Sequence, residues 1–543
     1  MPALNHAPRW PTTVAFVSCV AAARITTANS QMRSALLSAI TVPWGFPSLL
    51  CPSALSLILL DHRISSCVQR ANRSWPARLP KTALFGAQGL RALAADSLLH
   101  AVLEAAPVTT IEFERFLTCA RHALLETVSD GQESDPLEIA AQQFYAALAR
   151  QCFVNEYVFD CHAREQLAAA ECRTKLQALL DANGAIPPLL LLAVAAYFPL
   201  HSLRGAIRLL ARQESRPVEA VLRQQIGEPL EEQALRENIK RLTPIGAGIS
   251  EQVRSQYEQN PYPRWVKVPV QDISLRFNDE LRRALPFAPS VPLPDDSAPE
   301  LLIAGCGTGS HAILTAHRFR GAHLLAIDLS LSSISYAKRK TQELGITTIE
   351  YAQADILQLD NVSCAFDIIE SIGVLHHLAD PFAGWRTLLS RLRPGGFMHL
   401  GFYSKRAHSH LIAAREFIAA RGYGDTPDEI SRCRQDLATQ DVGIDLHRLS
   451  RTVDFYSTSE CRDLLFHVQE HRLTLGEIES FIAESRLQFI GFELAPSVLH
   501  QYRGRFPDDL TATNLGNWTL FETDNPDTFA SMYNFWIQKP IRQ

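Results

Sequence analysis

The sequence predicts an α/β domain on a parallel sheet, preceded by an all-α domain, and three observations carry that expectation. From residue 300 onward, short apolar runs alternate with amphipathic helical stretches, the pattern of parallel strands joined by crossover helices. From about 83 to 245 the apolar residues recur instead near a 3.6 period, as in EFERFLTCARHALLETV and REQLAAAECRTKLQALLDANG. Between the two, ALPFAPSVPLPDDSAP puts five prolines into 14 residues. Proline is excluded from helix interiors and central strands, so this stretch is a connection.

A chain of 543 residues is expected to form two or three domains. Its net charge of −5 comes without a polybasic run, which argues against a nucleic-acid surface. Eleven cysteines are scattered without a CxxC pair or metal-ligand rhythm, so they read as reduced packing residues in a cytoplasmic protein. The first 80 residues hold one acidic residue, Asp61, against seven arginines and no lysine. That balance suits an organelle transit peptide, but the favoured expectation for 1–82 is a disordered or leader-like N-terminus. GFPSLLCPSALSLILL is its only strongly apolar part, and proline interrupts it before the length needed to span a bilayer. No membrane span is expected.

Within the helical domain, 83–245, DGQESDP and NGAIPP mark loops. LLLLAVAAYF, lying between Pro188 and Pro199, is too short to cross a membrane and should be the buried centre. No repeat emerges, so an irregular helical array is expected. Residues 246–299 follow as an aromatic and proline-rich lid and linker, containing QYEQNPYPRW.

The chemistry begins at LLIAGCGTGS. LLIAG reads as a buried strand, SHAILTAHRF as a helix, AHLLAID as a second strand and SSISYAKRKTQEL as a second helix. The glycine loop therefore lies at the carboxyl end of a strand, where open α/β sheets bind ligands. Gly305-Cys306-Gly307-Thr308-Gly309 is G-x-G-x-G, with Ser310 where a dinucleotide fingerprint has its third glycine, and no P-loop lysine follows. Asp328 ends the second strand 23 residues after Gly305, placed for two ribose hydroxyls. IEYAQADILQL reads as a third strand ending in Asp355, suited to an exocyclic amine such as that of adenine.

In AGCGTG, LLAIDLS, YAQADIL, FDIIESIGVLHHL and LRPGGFM, in this order, the chain from about 250 to 543 resembles the class I S-adenosylmethionine-dependent methyltransferases, notably the small-molecule enzymes of the ubiquinone-biosynthesis type. The resemblance implies a Rossmann-like seven-stranded sheet with an antiparallel last strand over 300–543. LQFIGFEL and MYNFWIQKP would be its last two strands, and an insertion at 405–484 would sit above the cofactor. It further implies that the backbone of Gly305, Cys306, Gly307, Thr308 and Gly309 approaches the methionine end. Asp328 would bind the ribose and Leu329 would be a further cofactor contact, while Asp355 and Ile356 would flank the adenine. Ser371 to Val374, Gly373 among them, would line the pocket beside the methyl. Family members usually carry an acid two residues before the first loop glycine to hold the cofactor's amino group, and here that place is Ile303. Tyr257, Tyr262, Arg264 and Trp265 of the preceding segment would close over the pocket, Arg264 pairing with the methionine carboxylate.

His376 and His377 follow the fourth strand and are candidate general bases. HVQEH matches the inverted zinc-protease motif, and on a helix His467 and His471 would share one face. Lacking a third ligand, it is read as a substrate-site or surface helix, and no metal is expected. The expected activity is methyl transfer to an O, N or C nucleophile of a small-molecule acceptor. The alternatives are a protein methyltransferase whose helical domain binds its substrate, and a non-catalytic scaffold with a relict cofactor domain.

Overall fold

The computed structural model describes residues 30–541, apart from 43, 46, 133–134, 270–273, 409, 440–448 and 450–451. The chain divides into two units. One comprises the described residues of 1–231, 264–272 and 423–464, and the other those of 232–263, 273–422 and 465–543.

The first unit is helical. Its longest helices are Ile111–Ser129 and Ala163–Asp181, packed with Gln142–Val154 and Pro188–Ala195. The last begins at the LLLLAVAAYF run. Pro188 occupies a first-turn position where no backbone N–H is lost, and every residue from Leu189 to Ala195 is buried, as the sequence leads one to expect. The expectation of disorder for 1–82 is corrected over its later part, where Ser30–Thr41, Pro47–Ile58 and His62–Ser74 are helices. Pro47 starts the second of these. Pro52 lies inside it, which masked its periodicity, yet Leu50, Ala54, Leu57 and Ile58 are all buried. The expectation for residues 1–29 lies outside the described residues.

Two charged clusters lie within the helical core. Glu165 accepts a hydrogen bond from the Tyr197 hydroxyl, with Arg78 at 3.2 Å and Arg121 at 3.3 Å from its carboxylate. Arg434 binds Glu114 at 2.9 Å and the Phe455 carbonyl. The second cluster corrects the expected insertion at 405–484: the described residues of Tyr423–Leu464 belong to the helical unit, leaving only its flanks with the sheet. Helical periodicity alone did not say which core those charges would enter.

The second unit carries one sheet. Its strands are β1 (Lys240–Arg241), β2 (Glu300–Ala304), β3 (His323–Asp328), β4 (Ile349–Gln353), β5 (Phe366–Ile372), β6 (Leu392–Phe402), β7 (Gln488–Phe492) and β8 (Tyr533–Gln538). They lie in the order β1-β4-β3-β2-β5-β6-β8-β7. All neighbours run parallel except β8, antiparallel to both β6 and β7. The seven expected strands with an antiparallel last one are thus present. The eighth, β1, is a two-residue edge whose exposed Lys240 and Arg241 gave no apolar signal. Both faces of β2 enter apolar clusters, Leu302 and Ala304 one and Leu301 and Ile303 the other, which is why it reads as a nearly unbroken apolar run. Trp385, Phe402, Phe481 and Phe535 pack in one apolar cluster and Phe277, Phe319, Phe397 and Trp536 in another.

No helix among the described residues is long and apolar enough to cross a membrane. The ten described cysteines are all free thiols.

Candidate active site

β2 ends at Ala304 and the chain turns at once. Gly305 has φ +82° and Gly307 φ +51°, backbone that favours glycine. Space enforces the choice as strongly as angle. A Cβ on Gly305 would stand 2.4 Å from a methyl of Val374, and one on Gly307 would stand 2.5 Å from the Tyr262 carbonyl oxygen. The loop is therefore pressed between the exit of β5 and the segment that precedes the sheet. Beside it lies a cavity of about 290 Å³, lined from the carboxyl ends of β2, β3, β4 and β5. The strand order reverses between β2 and β5, where doubly wound sheets place their ligands.

Asp328 and Asp355 both line this cavity. Asp328 Oδ2 accepts the Gly307 N–H at 2.8 Å and Oδ1 the Ser330 N–H at 2.9 Å. Burial raises its carboxyl above the usual aspartate range, although these N–H donors pull the other way. Asp355 lies two residues beyond the end of β4 and caps a short helical turn, Ile356–Asn361. Its oxygens accept the N–H groups of Leu357 and Gly246, at 2.9 and 3.0 Å. Each carboxylate keeps further lone pairs for a ligand.

The preceding segment divides between the two units. Tyr257, Tyr262 and Pro263 line the cavity, and Thr308 is held by them rather than by it. Its N–H donates to the Tyr262 carbonyl and its hydroxyl to that of Pro263. Arg264 and Trp265 belong to the helical unit, where the Arg264 guanidinium lies 5.3 Å from the centre of the Phe153 ring. The structure thus gives Arg264 an aromatic face as neighbour, a favourable site for a weakly hydrated guanidinium.

The two histidines after β5 separate in role. His377 lines the cavity, while His376 is buried behind it against Tyr403, ring centroids 4.0 Å apart. His377 Nδ1 lies 2.9 Å from the Gln469 carbonyl, an acceptor only, so Nδ1 carries the proton and Nε2 the lone pair. Its ring stacks on His467 at 3.7 Å, and His467 Nε2 meets the Tyr257 hydroxyl at 3.1 Å. The expected helix through HVQEH is corrected, because the helix Thr458–Phe466 ends before it. His467 therefore turns toward His377, while His471 bonds Gln469 instead.

Burial pushes the His377 imidazole down to about 4 and that of His376 well below its ordinary value. An unfolded histidine titrates near 6.5. The unfolded chain therefore binds more protons between about 4 and 6.5, so this stability is complete above 6.5 and is lost as pH falls toward 4. For His377 alone the loss should reach about 2 kcal/mol by pH 5. Urea midpoints of the protein and of His377→Gln, compared at pH 7.5 and 5, check this; an equal acid loss in both would refute it.

Of the remaining expected residues, Gly305, Cys306, Gly307, Leu329, Ile356 and Gly373 line the cavity. Gly309 instead lets the Ser310–Arg318 helix pack against Ala337, and Ser371 ties β5 to the Ala304 carbonyl at 3.0 Å. Burial raises the Cys306 thiol far above its usual range, which suits packing rather than reactivity. Sequence reasoning missed His311, Tyr403 and Met532 on the cavity wall and, behind His311, the buried Glu370. His311 stands just after the loop in the first turn of a helix, a position that was itself the signal.

Residues 301–396 match the family model described as a methyltransferase domain. An uncharacterised protein of Synechococcus sp. is 31% identical over 206 residues, 37% of this chain and 49% of that protein. A phosphoethanolamine N-methyltransferase of Arabidopsis thaliana is 31% identical over 124 residues, 23% of this chain and 25% of its own. A ubiquinone biosynthesis O-methyltransferase of Parvibaculum lavamentivorans is 30% identical over 152 residues, 27% and 58% of the two chains. The chain thus spans about half or less of the length of most of these relatives.

Proposed function

We propose that this chain, which carries a class I S-adenosylmethionine-dependent methyltransferase domain, transfers the sulfonium methyl to an O, N or C nucleophile of a small molecule. The observation that carries this reading is that Asp355, Asp328, the glycine loop and His377 all line one cavity. Asp355 and Ile356 suit an adenine, Asp328 a ribose diol, and the close-packed Gly305–Gly307 backbone the methionine end. When bound, S-adenosylmethionine supplies a methyl already attached to an activated leaving group. The chain's own task is then alignment of the acceptor and removal of its proton.

His377 is suited to the second task. Neutral above about pH 4, with Nδ1–H held by Gln469, it offers Nε2 to an acceptor hydroxyl or amine. His377→Ala should lower kcat about 100-fold, the lower end for general-base catalysis, while KM for the methyl donor changes little. Release of S-adenosylhomocysteine measures both; an unchanged kcat would leave alignment alone as the catalytic device.

Relatives named for N-methylation of phosphoethanolamine and for O-methylation in ubiquinone biosynthesis support a small acceptor. The deciding experiment incubates the protein with methyl-labelled donor and a cell extract, then separates label by size. Label in the small-molecule fraction is expected. Label only in protein bands would favour a protein acceptor, and no donor binding at millimolar concentration would favour a scaffold.

A further inference from the structure

Ile303, standing where an acid is expected, is wholly buried in the core, and its registered neighbour on β5 is Glu370. Residues paired across parallel strands share a face of the sheet, so a carboxylate is present one strand over. Glu370 is fully buried, and its Oε2 lies 2.8 Å from His311 Nε2 and accepts the Thr315 hydroxyl at 2.8 Å. Oε1 makes no hydrogen bond, and His399 Nδ1 lies 3.7 Å from it. Burial alone would raise this carboxyl, but the two imidazoles outweigh it and hold it well below the usual range.

An ionised carboxylate accepts only, so His311 Nε2 carries a proton toward Glu370, and Nδ1 is the nitrogen available to a ligand. His311 itself lines the cavity. The surrounding network is short of positive charge. Glu370, Glu280 and Glu493 outnumber Arg318 and Arg283 by one, and that charge is balanced by an imidazole proton or by a bound cation. Position agrees with charge. Asp328 sits at the end of β3, on one side of β2, whereas Glu370 and its partner His311 lie toward β5, on the other. A ligand whose ribose is on Asp328 therefore reaches His311 with its far end.

We propose that His311 binds the ammonium group of the methyl donor's amino-acid end, with Glu370 as the positioning residue that fixes the imidazole and supplies the balancing charge. This rests on the methyl-donor reading above. Neutral His311 accepts an ammonium N–H at Nδ1 while donating to Glu370 from Nε2, so a carboxylate acts through an imidazole where the acid before the loop is absent. The helix start that carries His311 favours an anion, so the two charges of the amino-acid end find opposite partners within one turn.

The test uses the full chain and three probes: S-adenosylhomocysteine, 5′-methylthioadenosine, which lacks the amino-acid end, and decarboxylated S-adenosylmethionine, which keeps the amine. His311→Leu and Glu370→Gln should each weaken S-adenosylhomocysteine about 10-fold, the scale of one charge-assisted hydrogen bond, with 5′-methylthioadenosine unchanged. Decarboxylated S-adenosylmethionine should weaken in parallel. Unchanged S-adenosylhomocysteine binding, or equal loss of all three ligands, would overturn the proposal. So would insensitivity of the decarboxylated probe, which would put the carboxylate at His311. If the unsubstituted protein binds none of the three, the methyl-donor reading itself has failed, and that result is distinct from every variant outcome.

Discussion

Asp328→Ala is expected to weaken S-adenosylhomocysteine binding about 100-fold or more, measured by titration calorimetry. Two ribose hydroxyls donating to a buried carboxylate are charge-assisted hydrogen bonds, each worth roughly 1.5–3 kcal/mol. The same carboxylate holds the Gly307 and Ser330 N–H groups, so the substitution also loosens the loop. A 2′,3′-dideoxy analogue separates the two effects: it should bind the unsubstituted protein weakly and lose little more in the variant. Equal losses for both ligands would assign Asp328 to loop support alone. A pH dependence follows from the burial that raises its carboxyl. The diol favours the ionised form, so affinity falls as pH drops through that raised value, sooner than an exposed aspartate would predict.

What could be read from the chain, and what could not, follows from the range of each interaction. The glycine loop and Asp328 were legible because a strand, a turn and a helix are local and fix their own spacing. The buried LLLLAVAAYF helix was legible because ten apolar residues between prolines have few alternatives. Glu370 was not. In FDIIESI it is one of three polar residues, and its meaning depends on His311, which folding brings to it from another element. Arg264 lies two residues beyond Tyr262, yet the chain passes into the other unit after Pro263, so nearness in sequence misjudged its surroundings. HVQEH misled for a similar reason: its spacing suits a helix, but the helix stops at Phe466, and His467 meets Tyr257 and His377 while His471 bonds Gln469.

The largest stability effect should come from Glu165→Ala in the helical unit, about 3–5 kcal/mol by urea unfolding, because it strands a buried cation. Arg121 is 2% exposed at its side chain, and without Glu165 it retains the Asp160 carbonyl and the Tyr197 ring. Burial pushes the Glu165 carboxyl up, yet Arg121 and Arg78 outweigh it and hold it below the usual range. Its contribution is therefore present above the unfolded glutamate value near 4.3 and is lost as pH falls through the lower folded value. Exposure predicts the contrast. Breaking Arg204–Asp181, whose side chains are 80% and 42% exposed, should cost under about 1 kcal/mol. If Glu165 matters because of the charge it compensates, removing that charge as well should recover much of the loss. The double variant Glu165→Leu, Arg121→Met is then expected to be more stable than Glu165→Ala, since Arg78 keeps Asp160 at 2.7 Å. A double variant no better than the single one would mean that Glu165 acts through its shape and its bond to Tyr197, and that the buried arginine tolerates its loss.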